Sequence, residues 1–508
     1  MWLGILCLVT VLILKILFDY RRPHKFPPGP RGLPLIGNMM DVANLLKETK
    51  YYADVWNQLA DKYGPVVGLR LGFDKPVIIV SGKAAITEML NRPEFDGRPE
   101  GFMFKYRCGG VQRGLVFTDT DVWQKQRRFA LRTLRQFGFG KYTMDHIIQQ
   151  DAIALRNIII ELTRNEEMMN LHSLISVAIF SNLWFIIEGT KYVVGIKKFR
   201  SKKTKELKET IHRIKDILKS SNIFGGILNS FPFLRHIFPG LTGFSLFKER
   251  QVQIDGFFVV SHKEFFSWKR NKMGGQSTNF IDSYLQEVDV QKAKSSISSF
   301  TENQLTYVLK DLFIAGVDTT DNTIGFIIAY LVVHQDVQNK VHDEIDRIIG
   351  KDICPSLSDK NRLPYLNAVL TEVARVASIT ATTIPHRALA DSNLLGFEIK
   401  KNYSLLANLK SVHMDKEHWG DPKEFRPERF IDENGQFVDD PWVMPFGLGR
   451  RKCLGETVAK STLFLFAACL FQKLHFMLPE KHPEPCLRGI DGFIVAPPVM
   501  DIMIVQRY

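Results

Sequence analysis

Thr301 to Val333 is the stretch that most limits what this chain can fold into. Its apolar residues recur with a helical period over a length that only a large core can bury. The chain must therefore build a sizeable helical domain around it. Thr301 suits an N-cap, and Gln304 stands at the capping-box position. Inside lies Ala315-Gly316-Val317-Asp318-Thr319-Thr320. Small polar and β-branched residues compete with helical backbone, and Gly316 weakens a helix by ~1 kcal/mol. Poor local choices inside a strong helix point to function. The plainer reading is a Ser/Thr-type helix kink.

The second constraint runs from Pro445 to Ala459, with the spacing Phe446-x-x-Gly449-x-x-x-Cys453-x-Gly455. Cys453 follows Arg450, Arg451 and Lys452 and opens an apolar helix through Leu463, Phe464, Phe466, Ala467 and Leu470. Nearby cations, a helix N-terminus and free backbone N–H groups all favour a thiolate. Such a thiolate can be a nucleophile, a zinc ligand or a haem ligand. No CxxC or Cys/His cluster stands beside it, which argues against zinc. Gly447, Gly449 and Gly455 allow a flat macrocycle to approach the backbone, and the cations suit haem carboxylates. The plainer reading is a buried cysteine in a Gly-rich turn.

This segment resembles the haem-binding loop of a cytochrome P450, a haem-thiolate monooxygenase. Further signatures of that family follow one another over nearly the whole chain, which is most similar to the microsomal group and, within it, to insect members. The resemblance implies a mainly α fold: a triangular helical domain with a small β-rich lobe, after one N-terminal transmembrane anchor. It makes Cys453 the axial ligand of haem b, with Phe446 and Gly447 in the same loop. Arg451, the pair Trp123 and Arg127, Arg113 and His386 become partners of the haem propionates. Thr319 becomes the hydroxyl of a proton relay and Asp318 its acid, with Gly316 leaving room for O₂. Glu372, Arg375 and Arg429 form a buried structural triad. Phe102, Phe104, Ala315, Thr383, Phe493 and Ile494 line the substrate pocket, with Val111, Val116 and Phe117 as further loop candidates.

Composition agrees with a globular chain. The 508 residues are 45% hydrophobic, enough for a large core. Six cysteines without paired spacing fit a reducing compartment. The formal net charge of +13 is spread along the sequence. No zinc-finger spacing or RNA-binding aromatic motif accompanies it, so nucleic acid is not the expected partner. An anionic membrane surface and an acidic protein partner are.

Trp2 to Leu17 is apolar except for Lys15, and Arg21, Arg22, His24 and Lys25 follow. No basic residue precedes this run and no Ala-x-Ala site follows it. Residues 1–20 are expected to be a signal anchor with the catalytic part facing the cytosol at the endoplasmic reticulum. Residues 21–38 form a basic, proline-rich hinge, and 39–508 the catalytic domain. Val66 to Leu71 and Val77 to Val80 predict a β-hairpin. Arg98 to Thr120, rich in glycine, predicts a loop. Residues 145 to 265 predict successive amphipathic helices, broken over Ser221 to Gly243 by glycines and prolines among apolar residues. That break is expected to be a membrane-dipping entry lid. Gly274 to Phe300 is polar and reads as a surface connector.

The reaction implied is insertion of one atom of O₂ into a small lipophilic substrate, as hydroxylation or epoxidation of a terpenoid, steroid or aromatic compound. Electrons come from NADPH through cytochrome P450 reductase, with cytochrome b5 as a second candidate donor. Lys125, Arg128, Arg132, Arg135, Arg450 and Lys452 are the expected docking cations. The alternatives are aldoxime-forming N-oxidation of an aromatic amino acid, a haem-thiolate isomerase or dehydratase, and a haem or lipid carrier.

Overall fold

The computed structural model of the chain describes residues 25–72, 75–139, 142–163, 169–189, 201–220, 227–270, 279–294, 298–480 and 482–508, together with Thr10. The expected anchor over residues 1–20 lies outside the described residues apart from Thr10, as does the basic stretch Arg21 to His24.

In chain order the small lobe begins with α1 (Met39–Thr49), α2 (Tyr52–Tyr63), β1 (Val66–Leu69), β2 (Val77–Ser81) and α3 (Lys83–Asn91). A short α4 (Phe102–Arg107) and α5 (Thr120–Gln136) lead into the helical part. That part contains α6 (Tyr142–Leu162), α7 (His172–Glu188), α8 (Lys202–Ser220), α9 (Ile227–Ser230), α10 (Leu234–Ile237), α11 (Phe244–Arg270) and α12 (Phe280–Lys294). The central α13 (Glu302–Val333), α14 (Gln335–Ile348) and α15 (Pro364–Ala377) follow. The strands β3 (His386–Arg387), β4 (Ser392–Leu394), β5 (Phe397–Ile399) and β6 (Ser404–Asn408) return to the small lobe. Last come α16 (Lys410–His413), α17 (Lys416–Trp419), α18 (Glu456–Lys473), β7 (Leu474–Met477) and β8 (Met503–Gln506).

Helix α13 is buried on most of its circumference and packs against α7, α15 and α18. Among the described residues it alone is long and apolar enough to cross a membrane, and it is the core helix of this domain. Thr301 caps it, accepting from the Gln304 N–H at 3.0 Å. The capping box is only half made. The Gln304 amide instead grips Gly114, accepting from its N–H at 3.2 Å and donating to its carbonyl at 3.1 Å. The start of the central helix thereby holds the loop that follows α4.

The main sheet has the order β1-β2-β6-β3. β1 and β2 are antiparallel with Val66 opposite Val80, as the hairpin reading expects, while β6 joins β2 in parallel. All five residues of β2 are buried, so it is a core strand rather than a half-wet one. Gly68 donates to the Pro28 carbonyl at 2.8 Å, which lays the proline-rich segment beside β1. The Ser230 hydroxyl donates to the Leu71 carbonyl at 3.0 Å, so α9 rests on the end of the same hairpin.

Two expectations change. The Arg98 to Thr120 segment is not all loop, because Phe102–Arg107 forms α4. The polar stretch before α13 contains α12, whose Phe280, Ile281, Tyr284 and Val288 make one buried stripe. The Tyr284 hydroxyl donates to the Gln126 side-chain oxygen at 2.7 Å, fixing α12 to α5. Serines on both flanks mask that short period in the sequence.

Behind the cavity, Glu372 takes two bonds from Arg375, Nε to Oε2 and Nη2 to Oε1, both at 2.7 Å. The remaining Arg375 donors reach the carbonyls of His413, Pro422 and Glu424. Its five N–H groups are thus all used. Arg429 Nε adds a third contact to Glu372 Oε1 at 3.1 Å, and the Arg426 N–H a fourth at 2.9 Å. The structure brings the side chains of these three residues into one buried, hydrogen-bonded cluster.

Candidate active site

A cavity of about 720 Å³ lies between α13, the loop before α18 and the strand lobe. The loop owes its shape to backbone bonds: Gly447 N–H to the Met444 carbonyl at 3.0 Å, Cys453 N–H to the Phe446 carbonyl at 2.9 Å. Gly449 has φ +70°, and a Cβ there would lie 1.8 Å from the Leu90 carbonyl oxygen at the end of α3. Gly447 has φ +69° with open space where its Cβ would be, and it lines the cavity with Phe446.

Cys453 also lines the cavity, where its side chain is exposed although protein surrounds the thiol elsewhere. Burial pushes the thiol above its usual value. The backbone N–H groups of Gly455 and Glu456 and the Arg127 charge pull the other way. Of the three cations that precede Cys453 in sequence, Lys452 pairs with Glu456 at 2.6 Å and Arg450 with Asp96 at 3.2 Å.

Trp123, Arg127, Arg451 and His386 all line the cavity. Arg451 stacks 3.7 Å from the Trp123 centroid and donates to the carbonyls of Asp96 and Thr118, each at 2.9 Å. Burial and the neighbouring Arg98 lower its pKa to about 8. Arg127 donates to the Lys452 carbonyl at 2.6 Å. His386 is buried, and its Nδ1 lies 2.7 Å from the Phe95 carbonyl oxygen. That contact assigns the proton to Nδ1 and leaves Nε2 for the cavity. Burial, then Arg98, hold this imidazole well below its usual value.

Arg113 does not line the cavity. Its guanidinium turns back onto the carbonyls of Cys108 and Gly109, both at 3.1 Å, and over the Tyr307 ring. Arg98, which the sequence reading did not single out, lines the cavity instead. Arg98 is fully buried, donates to Val116 and Pro385 carbonyls, and lines the cavity. Asp119 accepts from the Arg98 N–H at 3.0 Å and from Arg387 Nη2 at 2.6 Å. A lone arginine before a proline offers no periodic signal that could have singled it out.

On α13, Ala315, Gly316, Thr319 and Thr320 face the cavity. The Thr319 hydroxyl donates to the Ala315 carbonyl at 2.7 Å. Asp318 does not face it. One residue along a helix turns the side chain by about 100°, and Asp318 is buried beside Asn322, whose amide donates to it at 3.3 Å. The absent Cβ of Gly316 makes room for Leu183, 2.6 Å from where it would stand. That glycine is a packing contact on its far side as well as a cavity residue.

Thr383, Phe493 and Ile494 line the cavity, as do Val116 and Phe117. Phe102 and Phe104 do not. Phe102 packs outward on Tyr106 and Phe244 with Arg235 over its face, and Phe104 backs Phe117 from behind at 5.5 Å. Val111 is exposed. The side chain that α4 does supply is Arg107.

The site fits a haem. Arg98, Arg127 and Arg451 bring three guanidinium groups to one end, with burial depressing Arg451, so added carboxylates would relieve the crowded positive charge. Gly447 leaves a smooth wall, and a cysteine faces the interior.

The cytochrome P450 family model matches residues 27–503. The chain belongs to the cytochrome P450 family. It is similar to a farnesoate epoxidase of Bombyx mori, 34% identical over 505 residues, covering 98% of this chain and 99% of that one. It is 33% identical over 511 residues to the probable cytochrome P450 305a1 of Drosophila melanogaster, covering 98% of each. Cytochrome P450 2D26 of Rattus norvegicus is 32% identical over 510 residues, 98% of this chain and 97% of the relative. Membership makes the chain a cytochrome P450 monooxygenase, and the family uses haem with its iron held by a cysteine thiolate.

Proposed function

We propose that this chain inserts one oxygen atom from O₂ into a lipophilic, isoprenoid-like substrate, by hydroxylation or epoxidation. One observation carries the reading: Cys453 and Thr319 open onto a single cavity whose remaining lining is mostly apolar. Cys453 is the residue to ligate the iron. Trp123, Arg98, Arg127, Arg451 and His386 are placed to bind the propionates. When bound, the haem would supply oxygen activation, with Cys453 as the thiolate ligand that favours it.

The chain's own residues do the rest. Thr319 presents a hydroxyl at the cavity wall, from which a proton can be passed inward. Asp318 acts through the helix flank rather than from the wall, so it positions or recharges the relay instead of touching the reacting atoms. Ala315, Ile494, Phe493 and Phe117 exclude water and leave an apolar surface for substrate. The name of the Bombyx mori relative favours an isoprenoid among the lipophilic candidates.

Electrons would arrive from NADPH through the membrane reductase. Lys125, Arg128, Arg132 and Arg135 are exposed along α5, which also carries Trp123 and Arg127 to the cavity, and Arg450 is exposed in the cysteine loop. An acidic partner seated there would lie close to the cofactor. Cytochrome b5 could use the same face. The lid region exposes Phe233, Ile237, Phe238 and Leu241 beside the hairpin, a surface suited to a bilayer of the endoplasmic reticulum.

Purified protein with reductase and NADPH tests this. A reduced carbon monoxide difference band typical of thiolate ligation, lost in Cys453→Ser, together with NADPH-dependent oxygenation of an isoprenoid, supports the reading. Turnover without O₂ or reductase would favour an isomerase or dehydratase.

A further inference from the structure

Arg107 lines the mostly apolar cavity, with its guanidinium beside Asp311 and Phe117, two other lining residues. No hydrogen bond from its side chain is present among the described residues. Its ionic neighbour, Asp311 Oδ1, is 3.9 Å away, and its flat face lies 4.8 Å from the Phe117 centroid. The Asp311 carboxylate is already engaged through Oδ2, which accepts the N–H groups of Leu115 at 2.7 Å and Val116 at 2.9 Å. Burial holds the Asp311 carboxyl above its usual value, and the Arg107 charge is the first of the effects that pull it back. The other nearby cation, Lys310, is satisfied by Asp255 at 2.7 Å. Arg107 is left with planar N–H donors matched to a carboxylate, and its Asp311 neighbour stands beyond hydrogen-bond distance.

We propose that Arg107 binds the carboxylate of an acidic lipophilic substrate, so that the enzyme acts on the free acid in preference to its ester. This rests on the oxygenase reading above and adds to it the head group of the substrate. Asp311, Ala315 and Thr319 are spaced four residues apart on one face of α13, and all three line the cavity. Eight residues at ~1.5 Å each put Thr319 ~12 Å along the helix from the Arg107 contact. The carboxylate would be held at one end, and the oxidised carbon would lie at the remote end of a chain of about that length.

The test titrates wild type, Arg107→Gln and Arg107→Lys with two probe pairs: farnesoic acid and its methyl ester, dodecanoic acid and its methyl ester. Binding is read twice, by the substrate-induced spin shift and by equilibrium dialysis, which does not depend on the haem. The expected result is a wild-type preference for each acid of about 10- to 100-fold, the range of a hydrogen bond to a charged group. Arg107→Gln should lose that preference with ester binding unchanged, and Arg107→Lys should retain much of it. Equal binding of acid and ester by wild type, no binding of either acid, or an Arg107→Gln variant that discriminates like wild type would overturn the proposal. A normal carbon monoxide band with any of those results sinks the head-group assignment alone. A missing band in wild type sinks the oxygenase reading, and the dialysis arm still decides the role of Arg107.

Discussion

The Arg451 guanidinium carbon stands 3.7 Å from the centroid of the Trp123 ring, and Arg127 approaches the same ring at 5.8 Å. One buried indole therefore aligns two of the cations that border the cavity. Trp123→Ala should release both and lower the haem retained per protein after gel filtration. Trp123→Phe should retain more, because a ring face remains. Equal haem content in wild type and Trp123→Ala would contradict this.

Removing Glu372 takes the only paired carboxylate from the fully buried Arg375 and one of two from Arg429. Breaking a buried pair costs about 3–5 kcal/mol. Glu372→Ala should therefore unfold at markedly lower urea than wild type, with Glu372→Gln also destabilised because the charge is lost. Equilibrium unfolding followed by fluorescence checks it. A shift below that of an exposed control such as Glu417→Ala would refute a structural role.

Thr319→Ala should separate electron use from product formation. With reductase present, NADPH oxidation should continue while product per NADPH falls, by up to about 10²-fold, and hydrogen peroxide rises. Asp318→Asn should reduce the rate less, since Asp318 is off the cavity wall. Parallel assays of NADPH, product and peroxide distinguish the two.

His413 is buried, accepts the Met444 N–H at Nε2 (3.0 Å) and contacts the Ser378 hydroxyl through Nδ1 (2.8 Å). Burial lowers its pKa to about 3, and His342 is lowered to a similar value. Both are depressed below the unfolded value, so folding favours their neutral forms. Their contribution is full above pH ~6.5 and is lost as pH falls toward 3, with a slope approaching about 1.4 kcal/mol per pH unit for each. Thermal midpoints should decline from pH 7 to pH 5, and His413→Gln should flatten the decline. A flat wild-type profile would refute it.

Two neighbouring glycines should behave differently. Both have φ near +70°, so either alanine is strained. Gly449→Ala must also displace the Leu90 carbonyl, whereas Gly447→Ala meets nothing. Gly449→Ala should give little folded protein, and Gly447→Ala should fold with a cost of about 1 kcal/mol. Soluble yield and urea midpoints report the difference.

How far the sequence could be read depended on whether a feature was local or assembled. The cap at Thr301, the span of α13 and the hairpin follow from period and terminal chemistry, which are local. The approach of Glu372 to Arg375 follows from an i,i+3 spacing. Residues of the Arg98 to Thr120 segment escaped such reasoning. There a glycine-rich chain folds by what it touches, and Gln304 and Asp311 on α13 decide which side chains face inward. That is why Arg113 turned out, Arg98 and Arg107 turned in, and Phe102 and Phe104 packed away from the cavity. Asp318 sits behind Thr319 rather than beside it on the wall, because neighbours in sequence point about 100° apart on a helix.

Phe493 and Ile494 close a cavity whose other walls come from residues 90 to 463. The Tyr51 hydroxyl ties that late segment to the small lobe through the Gly489 carbonyl at 2.5 Å, and Asp491 accepts the Tyr52 N–H at 3.0 Å. Chains emerge from the ribosome N-terminus first and begin folding as they do. The last panel of the chamber is therefore delivered after almost everything around it. Without that late segment the chamber would lack the panel that Phe493 and Ile494 supply.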